Sequence, residues 1–158
     1  MPEINIKTYI KAPVQICFDL SRSIDLHQIS TQKSGEKAIA GRTSGLIQLH
    51  ETVTWRAKHF GVWQKLTSKI IGFDSPHYFE DQMVSGTFKY FRHEHHFTRT
   101  GNGTLMEDKF IFESPLGPLG KLANKIFLKN YMLNLLEVRN AVIKEYAESE
   151  KWKLILAQ

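Results

Sequence analysis

Residues 89–97 read KYFRHEHHF, placing three histidines and a glutamate at four consecutive positions, His93-Glu94-His95-His96, between Phe91 and Phe97. Imidazole and carboxylate at this density can bind a metal, relay protons, or satisfy one another as hydrogen-bond partners. Side chains alternate along a strand, so His93 and His95 share a face with Phe91 and Phe97, while Glu94 and His96 share the other with Arg92. The aromatic neighbours mark the first face as the inner one.

Three further segments repeat the same anomaly, an ionisable group on an apolar face. In residues 104–113 the inward set is Met106, Asp108, Phe110 and Phe112. In YFEDQMV it is Phe79, Asp81 and Met83, and in LHETVTWRA it is Leu49, Glu51, Val53, Trp55 and Ala57. Four strands thus carry ionisable groups inward: Glu51, Asp81, His93 with His95, and Asp108. Buried charges cost several kcal/mol each unless paired, and histidine against carboxylate is the pairing on offer. Pairing alone would fix strand register; pairing beside a cavity would also contact a bound molecule. The pattern predicts a polar cluster within an apolar interior.

Neither a metal nor a cofactor is expected. The cupin metal pattern needs five residues between a glycine and His-x-His, whereas six separate Gly86 from His93, and Arg99 and Thr100 stand where its glutamate should be. A nucleophile elbow, a Walker loop and a dinucleotide fingerprint are all absent from the sequence.

The elements that must hold these side chains are legible from periodicity. Ile4, Ile6, Thr8 and Ile10 alternate with polar residues until Ala12-Pro13, which predicts a first strand. Val14, Cys17 and Phe18 then adopt helical spacing, and two short helices are expected before residue 31. Strand-like runs follow at 33–40, 46–58, 62–73, 78–85, 88–99 and 104–113, with TGNG at 100–103 as a hairpin turn. SPLGPLG breaks the sheet at 114–120 and offers a hinge. Beyond it Leu122, Ile126, Tyr131, Leu135, Val138, Val142 and Tyr146, widened by Leu128, Met132, Leu136 and Ile143, predict one helix over about 119–150. The tail WKLILAQ either extends this helix or packs separately. A curved antiparallel sheet of seven strands around a long C-terminal helix, an α+β fold, buries both apolar surfaces and leaves a cavity between them.

Composition narrows the function classes. A chain of 158 residues, 42% hydrophobic and 23% charged, is one domain with a core of its own. Its net charge of +5 comes without any lysine/arginine block longer than two residues, so nucleic acid is not an expected partner. The single cysteine, Cys17, lies among apolar residues and reads as an inert buried thiol in a reducing compartment. The start, Met1-Pro2-Glu3-Ile4, lacks the pattern of a secretory leader, and no apolar run reaches the ~20 residues of a membrane span. A cytoplasmic protein without stable membrane insertion is expected.

The opening INIKTYIKAPVQICFDLSRSIDLH, the run AGRTSGLIQLHETVTWRAKHFG and the late SPLGPLGKLANKIFLKNYMLNLLEVRN resemble the START-like (SRPBCC) superfamily. The likeness is to its bacterial polyketide-cyclase/dehydrase-like branch, which includes proteins described as cell-division inhibitors, and it spans Ile4 to Ala147. It implies a helix-grip fold over the whole chain and a deep cavity under the C-terminal helix. Members mostly bind lipids, hormones or polyketides; a minority are cyclases, hydratases or hydrolases, and the superfamily shares no catalytic residue set. The leading expectation is a binding protein for a hydrophobic or amphipathic small molecule. Its cavity set is Glu51, Trp55, Asp81, Met83, Phe91, His93, His95, Met106, Asp108, Phe110 and Met132, with the methionines as an adaptable wall. The second is an enzyme using histidine–carboxylate pairs as acid and base, and the third a module that self-associates or binds a partner through the apolar tail.

Overall fold

The computed structural model describes residues 1–114 and 127–157. Strand β1 (Glu3–Ile10) leads into helices α1 (Val14–Ser21) and α2 (Ile24–Ser30) and a 3-10 turn, Gln32–Ser34. Six strands follow: β2 (Lys37–Gly41), β3 (Thr52–His59), β4 (Val62–Asp74), β5 (Tyr78–Gly86), β6 (Tyr90–Thr100) and β7 (Gly103–Glu113). Helices α3 (Lys129–Ala147) and α4 (Trp152–Leu156) complete the described chain. All seven strands form one antiparallel sheet in the order β1-β7-β6-β5-β4-β3-β2, so the long connection through α1 and α2 carries the chain from one edge to the other.

Local chemistry sets several boundaries. Pro13 cannot continue β1 and stands as the N-cap of α1, and the Ser23 hydroxyl accepts from the Leu26 amide to cap α2. Gly101, with φ of +54°, takes the left-handed position in the tight β6–β7 turn. That turn locks the longest ladder, Tyr90↔Glu113 through Thr100↔Gly103, in one uninterrupted register.

Three sequence expectations need correction. The run expected at 33–40 starts only at Lys37, because Gln32–Ser34 closes into a 3-10 turn ended by left-handed Gly35. The run expected at 46–58 starts only at Thr52. His50 has φ of +70° and the Glu51 amide donates to the Gln48 carbonyl, so a turn interrupts alternation before the strand begins. Parity therefore cannot be carried back to Leu49 or Glu51, and Leu49 is exposed. The helix expected to 150 ends at Ala147, and its inner face is the line Leu136, Arg139, Asn140, Ile143 and Ala147, which leaves Val138 exposed. The hinge at 115–120 and the helical positions Leu122 and Ile126 lie outside the described residues.

Tail residues Trp152, Ile155 and Leu156 of α4 pack as a separate unit against the core around α1, and Leu154 remains exposed. Cys17 is fully buried in that core, and burial raises its thiol above the ordinary range, which disfavours the reactive thiolate.

The core has two apolar parts with a polar belt between them. One part gathers Phe18, Phe79, Phe97, Met106 and Ile143; the other gathers Phe91, Phe110, Phe112 and Leu136. Phe18 meets Phe73, Phe79 and Phe97 edge to face, a geometry that adds to the ~1.5–3 kcal/mol of burying each large apolar side chain. Three elements cross from one part to the other, and each places polar residues at the crossing. On β6 these are His93 and His95, between Phe91 and Phe97. On β7 it is Asp108, between Met106 and Phe110. On α3 they are Arg139 and Asn140, between Leu136 and Ile143. All five are buried.

Candidate functional site

Register brings the belt together. His93 stands opposite Phe110 and His95 opposite Asp108 across β6–β7, while Asp81 stands opposite His93 across β5–β6. Each imidazole reaches diagonally to a carboxylate, and His95 also faces its direct neighbour, with Nδ1 3.4 Å from Asp108 Oδ1. An ionised carboxylate only accepts, so His93 Nε2–H donates to Asp108 Oδ1 at 2.8 Å and His95 Nε2–H donates to Asp81 Oδ1 at 3.0 Å. The two imidazole centroids are 3.8 Å apart, and His95 stacks on Phe79 at 4.0 Å.

Helix α3 completes the network. Asn140 Nδ2 donates to Asp108 Oδ2 at 2.7 Å, and Arg139 Nη1 donates to Asn140 Oδ1 at 2.9 Å. The same guanidinium lies 3.5 Å from Asp108 Oδ1 and donates to the Ser21 carbonyl at 3.2 Å, which ties α3 to the end of α1. Sequence reasoning missed both helix residues. Their signal was available: 136, 139/140, 143 and 147 form a helical stripe, and polar residues within such a stripe must find buried partners.

These contacts set the charges. Burial opposes ionisation of Asp108, but the hydrogen bonds from His93 and His95 and the nearby Arg139 charge override it and hold the carboxyl well below its usual range. Asp81 is likewise lowered against the effect of burial, chiefly by His95. His93 is pushed down to about 4, first by burial and then by His95, against the pull of Asp108, and is therefore neutral near pH 7.

Above the belt, between the sheet and α3, lies a cavity of about 480 Å³. That volume suits a small molecule. Trp55, Ile70, Phe79, Phe91, Phe110 and Leu136 supply apolar wall, with Met132 from α3. Asp81, His93, His95 and Arg139 are the belt residues that reach its surface.

Of the eleven residues expected to line a cavity, seven do so: Trp55, Asp81, Phe91, His93, His95, Phe110 and Met132. Four do not. Asp108 lies behind the wall, its side chain 1% exposed, as the acceptor that organises the belt. Met106 is fully buried near Ser21, 3.4 Å from that hydroxyl to sulfur, and Met83 packs partly buried against the second apolar cluster. Glu51 is a surface residue: Arg42 Nε donates to its Oε1 at 3.1 Å and Nη2 to its Oε2 at 2.8 Å, and the Gln48 amide donates to Oε1. The Arg42 hydrogen bond leads in lowering its carboxyl. Outside the cavity, His96 points away from the core, its side chain 45% exposed.

Asp81, His93 and His95 bring ligand-type atoms within 4.8 Å of one another, a spacing that could hold a cation. The chemistry of the set opposes one. Both Nε2 atoms already donate to carboxylates, and Arg139 Nη2 stands 3.5 Å from His95 Nδ1, where its charge repels a metal ion.

No protein-family model and no curated protein matches the chain. Solved structures do. TTHA0849 of Thermus thermophilus superposes with a TM-score of 0.75 at 17% identity, covering 92% of this chain and 97% of that one. CV1439 of Chromobacterium violaceum gives 0.70 at 8% identity over 93% and 97% of the two chains. Ginseng major latex-like protein 151 of Panax ginseng gives 0.67 at 16% identity over 92% and 97%. At such identities the likeness bears on fold alone, and the fold is the helix grip of the START-like (SRPBCC) proteins.

Proposed function

We propose that this chain binds an apolar or amphipathic small molecule in the cavity between sheet and α3, as a cytoplasmic protein. The carrying observation is a 480 Å³ space with apolar walls whose polar belt surfaces at Asp81, His95 and Arg139. Apolar walls supply affinity through the area they remove from water, and the few convergent polar groups orient the ligand. Among the described residues no helix is long and apolar enough to cross a membrane.

Native mass spectrometry of freshly purified protein, with titration of a neutral naphthylamine dye, tests this reading. A retained mass or saturable one-to-one dye binding is expected. Neither appearing would remove the proposal.

A second reading rests on one specific feature. His95, ordered by Asp81 and beside Arg139 on the cavity wall, has the parts of a general acid–base pair next to a charge stabiliser. Conversion of a retained molecule on prolonged incubation, abolished by His95→Phe, separates an enzyme of cyclase, dehydratase or hydrolase type from a carrier.

A further inference from the structure

A second group of polar side chains lines the same cavity, drawn from α2, the loop before β2, β3 and α3. His27 of α2 donates from Nε2 to Glu36 Oε1 at 2.8 Å, just before β2 begins. His59, the last residue of β3, has Nδ1 2.6 Å from the Tyr131 hydroxyl of α3. The His27 ring lies against Trp55 at 4.2 Å, so the group has an aromatic side. All four polar residues line the cavity. Burial works against ionisation of Glu36, but His27 and His59 overcome it and keep the carboxyl low.

This outer group and the inner belt are held apart by a fixed ruler. Tyr131 and Arg139 are eight residues apart on one helix, hence about 12 Å along its axis. Met132, Leu135 and Leu136 fall within that interval on the helix, and Trp55, Ala57 and Leu66 line the same cavity from the sheet. The cavity is therefore polar, apolar and polar again in sequence.

Charge selects among ligands. The inner belt has two carboxylates, Asp81 and Asp108, against the Arg139 guanidinium, with His93 held neutral. At the outer end stands the Glu36 carboxylate. Among the described residues the other lining cations are Arg22, held by Asp19 at 2.9 Å and by the Ile47 carbonyl, and Lys65, which is exposed. Carboxylates only accept, and the Tyr131 oxygen keeps a lone pair for a ligand donor whichever way its bond to His59 runs. Both ends thus favour ligand groups that donate hydrogen bonds and carry no negative charge.

We propose that the cavity takes an elongated neutral molecule with an apolar body and a hydroxyl at each end, one at Asp81–His95–Arg139 and the other at Glu36–Tyr131. This rests on the small-molecule reading above and names the ligand class.

Displacement of the naphthylamine dye by three probes of equal chain length tests it: decanol, the decane diol with a hydroxyl at each terminus, and decanoate. The diol is expected to compete about three- to tenfold better than decanol, the worth of one added hydrogen bond. Decanoate is expected to be weakest. Tyr131→Phe and Glu36→Gln, two conservative variants confirmed folded by circular dichroism, should each narrow the gap between diol and decanol. Equal competition by diol and decanol, an unchanged gap in both variants, or decanoate as the best competitor would overturn the two-ended ligand while leaving cavity binding in place. Failure of the dye and all three probes to bind wild-type protein would overturn both.

Discussion

Asp81 and Asp108 look alike in the sequence, each an inward acid on a strand flanking β6, yet they occupy different depths of one network. Asp108 is 1% exposed and accepts from His93 and Asn140 with Arg139 at 3.5 Å; Asp81 is 18% exposed, bonds His95 and lines the cavity. The first fastens α3 to the sheet. The second presents a charge to whatever fills the cavity. On the proposed function, a buried polar cluster need not be assigned wholly to scaffold or wholly to binding, because depth would divide the two roles among its members.

Removing one partner of a buried charge network strands the others, so Asp108→Asn should show the largest effect. It should lower stability by about 3–5 kcal/mol, since Arg139 loses its buried counter-charge. Urea unfolding checks this, and a loss no larger than that of Asp81→Asn would erase the distinction.

Acidity sharpens the contrast through His93. Its folded pKa of about 4 lies below the ~6.5 of an unfolded histidine. Between these values the unfolded chain binds the proton more readily, so stability falls as pH drops from about 6.5 to 4, by on the order of 3 kcal/mol. Asp108, also depressed, adds a loss in the same direction at still lower pH, below the ordinary aspartate value. His93→Phe should remove most of the first loss. Denaturation curves for both proteins at several pH values between 7 and 4 give the comparison, and parallel curves would refute the assignment.

The parts of this network legible in sequence are those where alternation runs unbroken. The β6–β7 hairpin has a tight turn and no bulge, so the parity of His93, His95, Asp108 and their aromatic neighbours carries through the whole ladder. Glu51 fails because left-handed His50 resets the pattern one residue earlier, a backbone event with no signature in hydrophobic spacing. Arg139 and Asn140 fail for another reason. A search for apolar stripes passes over polar residues that a stripe buries, although the gap they leave is itself informative. The outer group could not be read at all, since His27, Glu36, His59 and Tyr131 meet only through the tertiary fold.

The smallest expected change in stability carries the most direct test. Asp81→Asn keeps an oxygen to accept from His95 and removes only the charge at the cavity wall, so it should cost no more than about 1 kcal/mol. Decanol affinity of this variant, read by dye displacement beside wild type, is the decisive measurement. A three- to tenfold loss of affinity with a nearly unchanged melting temperature is the predicted result. Wild-type affinity together with a melting temperature lowered as far as that of Asp108→Asn would contradict it, and would make the whole belt scaffold.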